Sequence, residues 1–364
     1  MKPIYKHIHN SFKLNDKHYN FSQLNEVAQN FINEDELFKQ EIGVFLTQWL
    51  DDKDYIEVKT SGSTGTPKPI ILKKQAMVNS AIATGDFFKL QPGNTALLCL
   101  PATYIAGKMM LVRAMVLGLE LDYLQPTINP IFDTEKQYNF CAMIPAQVQN
   151  TINSLENIKT LIVGGAQVST KLKQQFSGLK TKIFETYGMT ETITHIAVKS
   201  VNNTLFQEEN RHAELVEASI FKILPNITIS QDERQCLVID APQLTSQQIV
   251  TNDVVKLHSK NAFEWLGRID NVINSGGVKL FPEQIEAKLQ SKIETRFFIA
   301  SESNITFGEV AILIIEAKNN KLDLDVFSSL NSIETPKKIY SIPTFVETPS
   351  GKINRLKTLQ LFKK

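Results

Sequence analysis

From Thr60 the chain reads Thr60, Ser61, Gly62, Ser63, Thr64, Gly65, Thr66, Pro67, Lys68, a run of hydroxyls and glycines closed by a proline and a lysine. Glycines let the backbone approach an anion closely, hydroxyls donate hydrogen bonds and the lysine adds charge, so the segment reads as a phosphate-gripping loop. It is not a Walker loop, which needs Gly-x-x-x-x-Gly-Lys-Ser/Thr, because this lysine sits between Pro67 and Pro69. The composition alone also suits a flexible linker. Three later segments bear on the choice: Glu185 to Thr192 (ETYGMTET), Trp265 to Glu286 with Gly267-Arg-Ile-Asp270 inside it, and Pro349 to Ile353 (PSGKI). Taken singly, their residues have ordinary readings. Tyr187 is a core aromatic, Thr190 and Glu191 are a helix cap and a first-turn acid, Arg268 is a surface ion pair, and Lys352 is one more solvated lysine near Lys357, Lys363 and Lys364.

In this order the four segments resemble the adenylate-forming superfamily of acyl-CoA synthetases, luciferases and peptide-synthetase adenylation domains, over about Ile56 to the C-terminus. The resemblance implies a two-step reaction. A carboxylate, a poor electrophile by itself, attacks the α-phosphorus of ATP; pyrophosphate leaves, and a thiol then displaces AMP from the acyl adenylate. The protein's work is to position the reactants and neutralise their charge. On this resemblance the Thr60–Lys68 loop holds the β- and γ-phosphates. Tyr187 stacks on adenine beside Gly188, Thr190 bonds the α-phosphate, and Glu191 holds Mg2+. Gly164, Gly165 and Ala166 match the adenine-side loop. Asp253 stands where a carboxylate accepts both ribose hydroxyls, although Asn252 replaces the glycine of the family's usual Thr-Gly-Asp. Arg268 supports ribose or α-phosphate, Asp270 is the hinge, and Ser275, Gly276 and Gly277 line the tunnel for CoA. Lys352 neutralises the attacking carboxylate and the α-phosphate during adenylation, then departs as its domain rotates.

The segment from Leu100 to Arg113 (LPATYIAGKMMLVR) bears on the acid. It resembles the o-succinylbenzoate-CoA ligases of menaquinone biosynthesis, with Tyr104 where many of them carry histidine. That substrate is an aromatic dicarboxylic acid activated on its aliphatic carboxylate, so the second carboxylate needs its own cation. Arg113 suits it because a guanidinium presents a fork, and Lys108 is a second option. Otherwise Arg113 would be a snorkelling residue on an amphipathic helix. The short chain also resembles compact members of that group. The same machinery could serve another aryl or fatty acid, or a carrier-protein thiol as acceptor. A chain that had lost catalysis would still bind nucleotide or acyl-CoA, but Glu191, Asp253, Arg268 and Lys352 together argue against that loss.

Elements able to hold these residues are visible in the pattern. TALLCL, LELDYL, NFCAMI and TLIVGG alternate with the helix-like GKMMLVRAMVLG and PAQVQNTINSL, which predicts a parallel sheet flanked by helices with ligands at the strand ends. FKILPNITIS and QCLVIDAP read as an antiparallel pair turning at Gln231 to Arg234. Beyond Asp270 a helix opened by Pro282 and running to Ile293, strands RFFIA and VAILIIEA, a helix near 325–330 and a strand near 339–346 suggest a second unit. The expected fold is α/β: a large domain over 1–269 with helix-flanked sheets and a β-rich subdomain, and a small mobile α+β domain over 270–364. The first 55 residues are partly helical with no site placed there. Residues 211–219 resemble either a short amphipathic helix or an inserted peptide, on the surface in both cases.

Composition sets the outer bounds. With 364 residues, two domains are expected. Lys plus Arg number 39 against 38 acids, so no overall field points to nucleic acid or an anionic membrane, and anion handling must be local. Cys99, Cys141 and Cys236 are far apart and form no CxxC pair, which predicts reduced core thiols. No apolar run is long enough to span a bilayer and no leader is evident, so the cytoplasm is the expected location. A homo-oligomer is compatible with all of this.

Overall fold

The computed structural model describes residues 3–59, 69–202, 219–318, 322–348 and 353–361. The chain starts with a short hairpin, β1 (Lys13–Leu14) and β2 (Lys17–His18), and two helices, α1 (Phe21–Ile32) and α2 (Leu37–Leu50). Asn20 and Gln23 close a reciprocal capping box at the start of α1, satisfying two otherwise orphaned N–H groups. The segment expected to be partly helical is so, through these two helices. It is also core: Phe12, Leu24, Phe45, Leu46 and Trp49 are buried in the main cluster, and β1 pairs in parallel with β6 (Glu120–Tyr123), over a hundred residues later. The antiparallel pair β3 (Tyr55–Lys59) and β4 (Pro69–Lys73) sets Lys59 opposite Pro69, the two residues that flank the Thr60–Lys68 segment. That segment itself lies outside the described residues.

The parallel core runs β6, β5 (Thr95–Leu98), β7 (Tyr138–Met143), β8 (Ile158–Val163) and β9 (Lys182–Gly188) across the sheet. Strand alternation divides its side chains between two cores. Ala96, Leu98, Phe140 and Ala142 join the cluster under α3 (Lys74–Phe88) and α4 (Ile105–Leu117), while Leu97, Cys99, Cys141 and Met143 join the cluster under α5 (Pro145–Asn150) and α6 (Thr170–Gln174). Burial on both faces is why these strands read as continuous apolar runs. The expected helix over 145–155 breaks at Thr151 into a 3-10 helix, Ile152–Asn157.

At β10 (His195–Ser200) the sheet turns antiparallel and continues through β11 (Ile220–Ile223), β15 (Ala262–Arg268), β14 (Ile249–Ser259), β13 (Cys236–Asp240) and β12 (Thr228–Gln231). Among the described residues the path therefore joins thirteen strands. FKILPNITIS, expected as one strand, is two: Pro225 lacks an N–H and Asn226 has φ 64°, so the chain leaves β11 and re-enters as β12. The polar turn between β12 and β13 is as expected.

After a 3-10 turn at Ile269–Asn271, a second sheet is built from β16 (Ile273–Ser275), β17 (Val278–Leu280), β18 (Phe297–Asn304), β19 (Gly308–Glu316) and β20 (Ile339–Ile342). It is backed on one face by α7 (Pro282–Leu289) and on the other by α8 (Arg355–Gln360). Helix α7 stops four residues before the expected Ile293, and the helix expected at 325–330 is a 3-10 helix over Leu324–Ser329. Gln284 on α7 donates to the carbonyls of Trp265 and Leu266 at 3.0 and 3.1 Å, fastening the second sheet's helix to β15.

Candidate active site

Two clusters form on either side of the junction where the sheet changes from parallel to antiparallel. The first gathers Tyr187, Asp253, Arg268 and Asp270. Asp253 and Arg268 are directly opposed on β14 and β15. The Tyr187 hydroxyl donates to Asp253 Oδ2 at 2.7 Å, Arg268 Nη1 lies 3.5 Å from Asp253 Oδ1, and Arg268 Nη2 lies 3.2 Å from Asp270 Oδ2. The Tyr187 ring packs against the stacked pair of Phe221 and Phe263, with an edge-on contact to Phe263 at 5.2 Å. Burial and the neighbouring Asp253 hold its phenol well above the usual range, so it stays a neutral donor. Thr251 Oγ1 accepts from the Asp253 N–H at 3.1 Å. Asn252, the departure from Thr-Gly-Asp, accepts from Arg234 Nη1 at 3.1 Å and reaches Asp270 Oδ2 at 3.4 Å.

The turn from Gly188 to His195 connects the two clusters. A Cβ on Gly188 would lie 2.3 Å from the Thr194 carbonyl, so only glycine permits so tight a return. Thr190 is half-buried and Glu191 exposed, both in a 3-10 turn whose capping box is closed by Thr192. Ile193 then has φ 67° and ψ −58°, with Thr194 N–H donating to Thr192 O at 2.7 Å. This is a γ-turn of the rare, strained hand, on a β-branched residue. Such a residue costs about 1–3 kcal/mol and persists only where its surroundings hold it, here by complete burial of Ile193. Gly164 follows β8, and a Cβ there would meet Thr186 Oγ1 at 2.6 Å, so the Gly164, Gly165, Ala166 loop packs directly on the strand carrying Tyr187.

The second cluster centres on Arg113. Helix α4 is buried almost all round, from Gly107 to Val116, so Arg113 does not snorkel; it is 2% exposed. Its Nε donates to Thr84 Oγ1 at 3.4 Å, Nη1 to Met110 Sδ at 3.7 Å and Nη2 to Thr194 Oγ1 at 3.2 Å, and its Cζ lies 6.0 Å from the Phe140 ring centre. A guanidinium carries five N–H donors. Three are used, and among the described residues no carboxylate faces the other two. Burial pushes Arg113 down to about 9, still charged at neutral pH. His195 is buried against it, with Nδ1 2.9 Å from Thr194 Oγ1 and Nε2 3.5 Å from Thr84 Oγ1.

Other expected residues are placed apart. Lys108 Nζ donates to Ala102 O at 2.5 Å and faces the Phe45 ring, and burial, opposed by Glu41, lowers it to about 8. Tyr104 is the N-cap of α4, 55% exposed. Ser275 is buried at the end of β16, Gly276 N–H donates to Phe307 O, and Gly277 faces open space. Lys352 lies outside the described residues; Glu347 and Ile353, on either side of its segment, are bridged, and Arg355 is fixed to Glu286 at 2.8 Å. Thr84, Thr194 and His195 were not foreseen. The last two lie two and three residues beyond the ETYGMTET segment, which could have drawn attention to them; Thr84 has no local signal.

Comparisons with known proteins bear on the fold and the family. The AMP-binding enzyme family model matches residues 51–233, half of the chain, and the chain belongs to that family, as an adenylate-forming acid–CoA ligase. An acyl-CoA synthetase (AMP-forming)/AMP-acid ligase II-like protein from Dyadobacter fermentans is 34% identical. It covers 93% of this chain and 98% of its own, with a TM-score of 0.60. The 2-succinylbenzoate–CoA ligase of Haemophilus influenzae is 23% identical, over 87% of this chain and 73% of that one. The o-succinylbenzoate CoA synthetase of Bacillus subtilis, solved with its acyl-adenylate intermediate, shares the fold at 14% identity. Its TM-score is 0.75, over 96% and 95% of the two chains. Among the described residues, no helix is long and apolar enough to cross a membrane.

Proposed function

We propose that the chain activates o-succinylbenzoate with ATP, releasing pyrophosphate, and passes the acyl group to CoA, giving o-succinylbenzoyl-CoA and AMP. The observation that carries the choice of acid is Arg113: a buried, charged guanidinium with two N–H groups that face no carboxylate among the described residues, bonded through Nη2 to Thr194, four residues along the chain from the proposed α-phosphate contact at Thr190. Two donors on one planar group are what a second carboxylate takes, and a carboxylate would relieve the cost of the unpaired buried charge. The named 2-succinylbenzoate–CoA ligase relatives support the same reading.

In this reading Asp253 accepts from the ribose diol while Tyr187 stacks on adenine, and their mutual hydrogen bond orients both. Arg268 assists Asp253 on the phosphate side. The Thr60–Lys68 loop, entering and leaving between Lys59 and Pro69, takes the β- and γ-phosphates. Mg2+ fits Glu191, whose exposed carboxylate is enough because Mg2+ is usually held by one or two carboxylates together with substrate phosphates. The ion would offset phosphate charge. Residues 1–269 form the nucleotide and acid domain and 270–364 the mobile one, with the hinge at Asp270 and Ser275, Gly276 and Gly277 beside the CoA path. Lys352 serves adenylation alone: Lys352→Ala should cost about 10²- to 10³-fold in adenylate formation and leave thiolysis of supplied acyl adenylate intact.

The test is purified protein with ATP, Mg2+, CoA and o-succinylbenzoate, followed by mass detection of the CoA thioester. Activity only on another acid would refute the substrate and leave the reaction class standing.

A further inference from the structure

Thr84, Thr194 and His195 close a ring with Arg113 in which each threonine oxygen contacts both the guanidinium and the imidazole. Counting protons fixes the polarity of that ring. The single hydroxyl proton of Thr84 goes to the Ser80 carbonyl at 2.9 Å, so Thr84 Oγ1 can only accept from His195. His195 Nε2 therefore carries the imidazole proton, and Nδ1 keeps a lone pair. Thr194 Oγ1 then donates to Nδ1 at 2.9 Å. With both hydroxyl protons committed elsewhere, both oxygens turn lone pairs to Arg113, one to Nε and one to Nη2. The plane of the guanidinium is thereby set, with one N–H on each of Nη1 and Nη2 left over.

We propose that His195 is a positioning residue that fixes the aim of Arg113 and so makes the site selective for acids with a second carboxylate. This rests on the reading that Arg113 receives that carboxylate. A doubly protonated imidazole would donate from both nitrogens, turn the Thr194 proton toward the guanidinium and set two cations side by side. Burial and Arg113 both hold His195 far below the usual imidazole range, in keeping with the single-proton form. The γ-turn at Ile193 supplies the second support, because it is the strained backbone step that sends Thr194 and His195 inward as neighbours.

The experiment compares o-succinylbenzoate with benzoylpropanoate, the same acid without the ring carboxylate, in wild type, His195→Phe, His195→Gln and Arg113→Met. His195→Phe keeps the shape and loses the hydrogen bonds; it should raise KM for o-succinylbenzoate about 10-fold, with kcat, KM for ATP and KM for benzoylpropanoate within about 2-fold. His195→Gln, which restores an N–H near Thr84, should recover part of that loss. Equal losses on both acids, or a fall in kcat with ATP affinity, would reduce His195 to a packing residue and overturn the proposal. If wild type prefers the diacid and Arg113→Met erases the preference while His195→Phe behaves as wild type, only the positioning role fails. If wild type does not prefer the diacid and Arg113→Met changes nothing, the acid reading fails and takes this proposal with it.

Discussion

Arg113 and Arg268 sit on opposite sides of the same β9–β10 turn, and they are held in opposite ways. Arg268 is 42% exposed and already meets two carboxylates, Asp253 and Asp270. Arg113 is buried, and its oxygen partners are neutral hydroxyls. An exposed paired cation is cheap to keep and is part of the scaffold; a buried unpaired one is costly and makes sense only if its partner arrives from outside. Under the proposed function, the contrast separates a cation that organises the nucleotide side from one held open for the acid.

Arg113→Met would break the contrast most severely. Removing one side of a buried charge pair costs about 2–5 kcal/mol, so KM for o-succinylbenzoate should rise by ~30-fold or more with KM for ATP unchanged. The free protein should melt at the same or a higher temperature, because an unpaired buried charge is gone. A drop in melting temperature with ATP affinity lost would mean that Arg113 is scaffold after all. Arg268→Met should give the mirror image, KM for ATP up on the order of 10-fold with KM for the acid unchanged. Stability should move by less than ~1 kcal/mol, since the lost pairs are partly exposed.

Acid titration gives a third handle on the same contrast. His195 is kept neutral in the fold, while in the unfolded chain it takes a proton below about pH 6.5. The unfolded state then binds more protons, so this stability is present above pH 6.5 and lost as pH falls below it, by at most about 1.4 kcal/mol per pH unit. Denaturant titrations between pH 7 and 5 should show a shallower loss in His195→Phe than in wild type. The smallest effect is expected on the exposed side. Asn252→Gly removes the 3.4 Å bond to Asp270 and should raise CoA transfer relative to pyrophosphate exchange by only about 2- to 5-fold. A larger change in KM for ATP would place Asn252 in nucleotide binding instead.

The two sides were not equally legible. Tyr187, Asp253, Arg268 and Asp270 lie in segments with recognisable spacing, and the fold brings those four together. The helix-flanked parallel sheet could be read because strands buried on both faces must be apolar runs. The Arg113 ring could not: it joins α4, α3 and the residue after a γ-turn, with Thr84 and His195 separated by more than a hundred positions. Periodicity also misled at FKILPNITIS, where apolar content continues through Pro225 but hydrogen bonding does not. The first 55 residues were expected only to be partly helical, and the burial of α1 and α2 depends on α4 and β6, which local pattern cannot reveal.

The pairing of β1 with β6 has a consequence for how the chain is made. The N-terminal helices leave the ribosome with their apolar faces uncovered, and the strand that seats them is complete only at Tyr123. At ordinary translation speeds the stretch from Leu50 to Tyr123 takes roughly 4–15 s to synthesise. For that interval Phe45, Leu46 and Trp49 have no native partner from the sheet, so the protein's exposure to misassembly is concentrated in an early window of its synthesis.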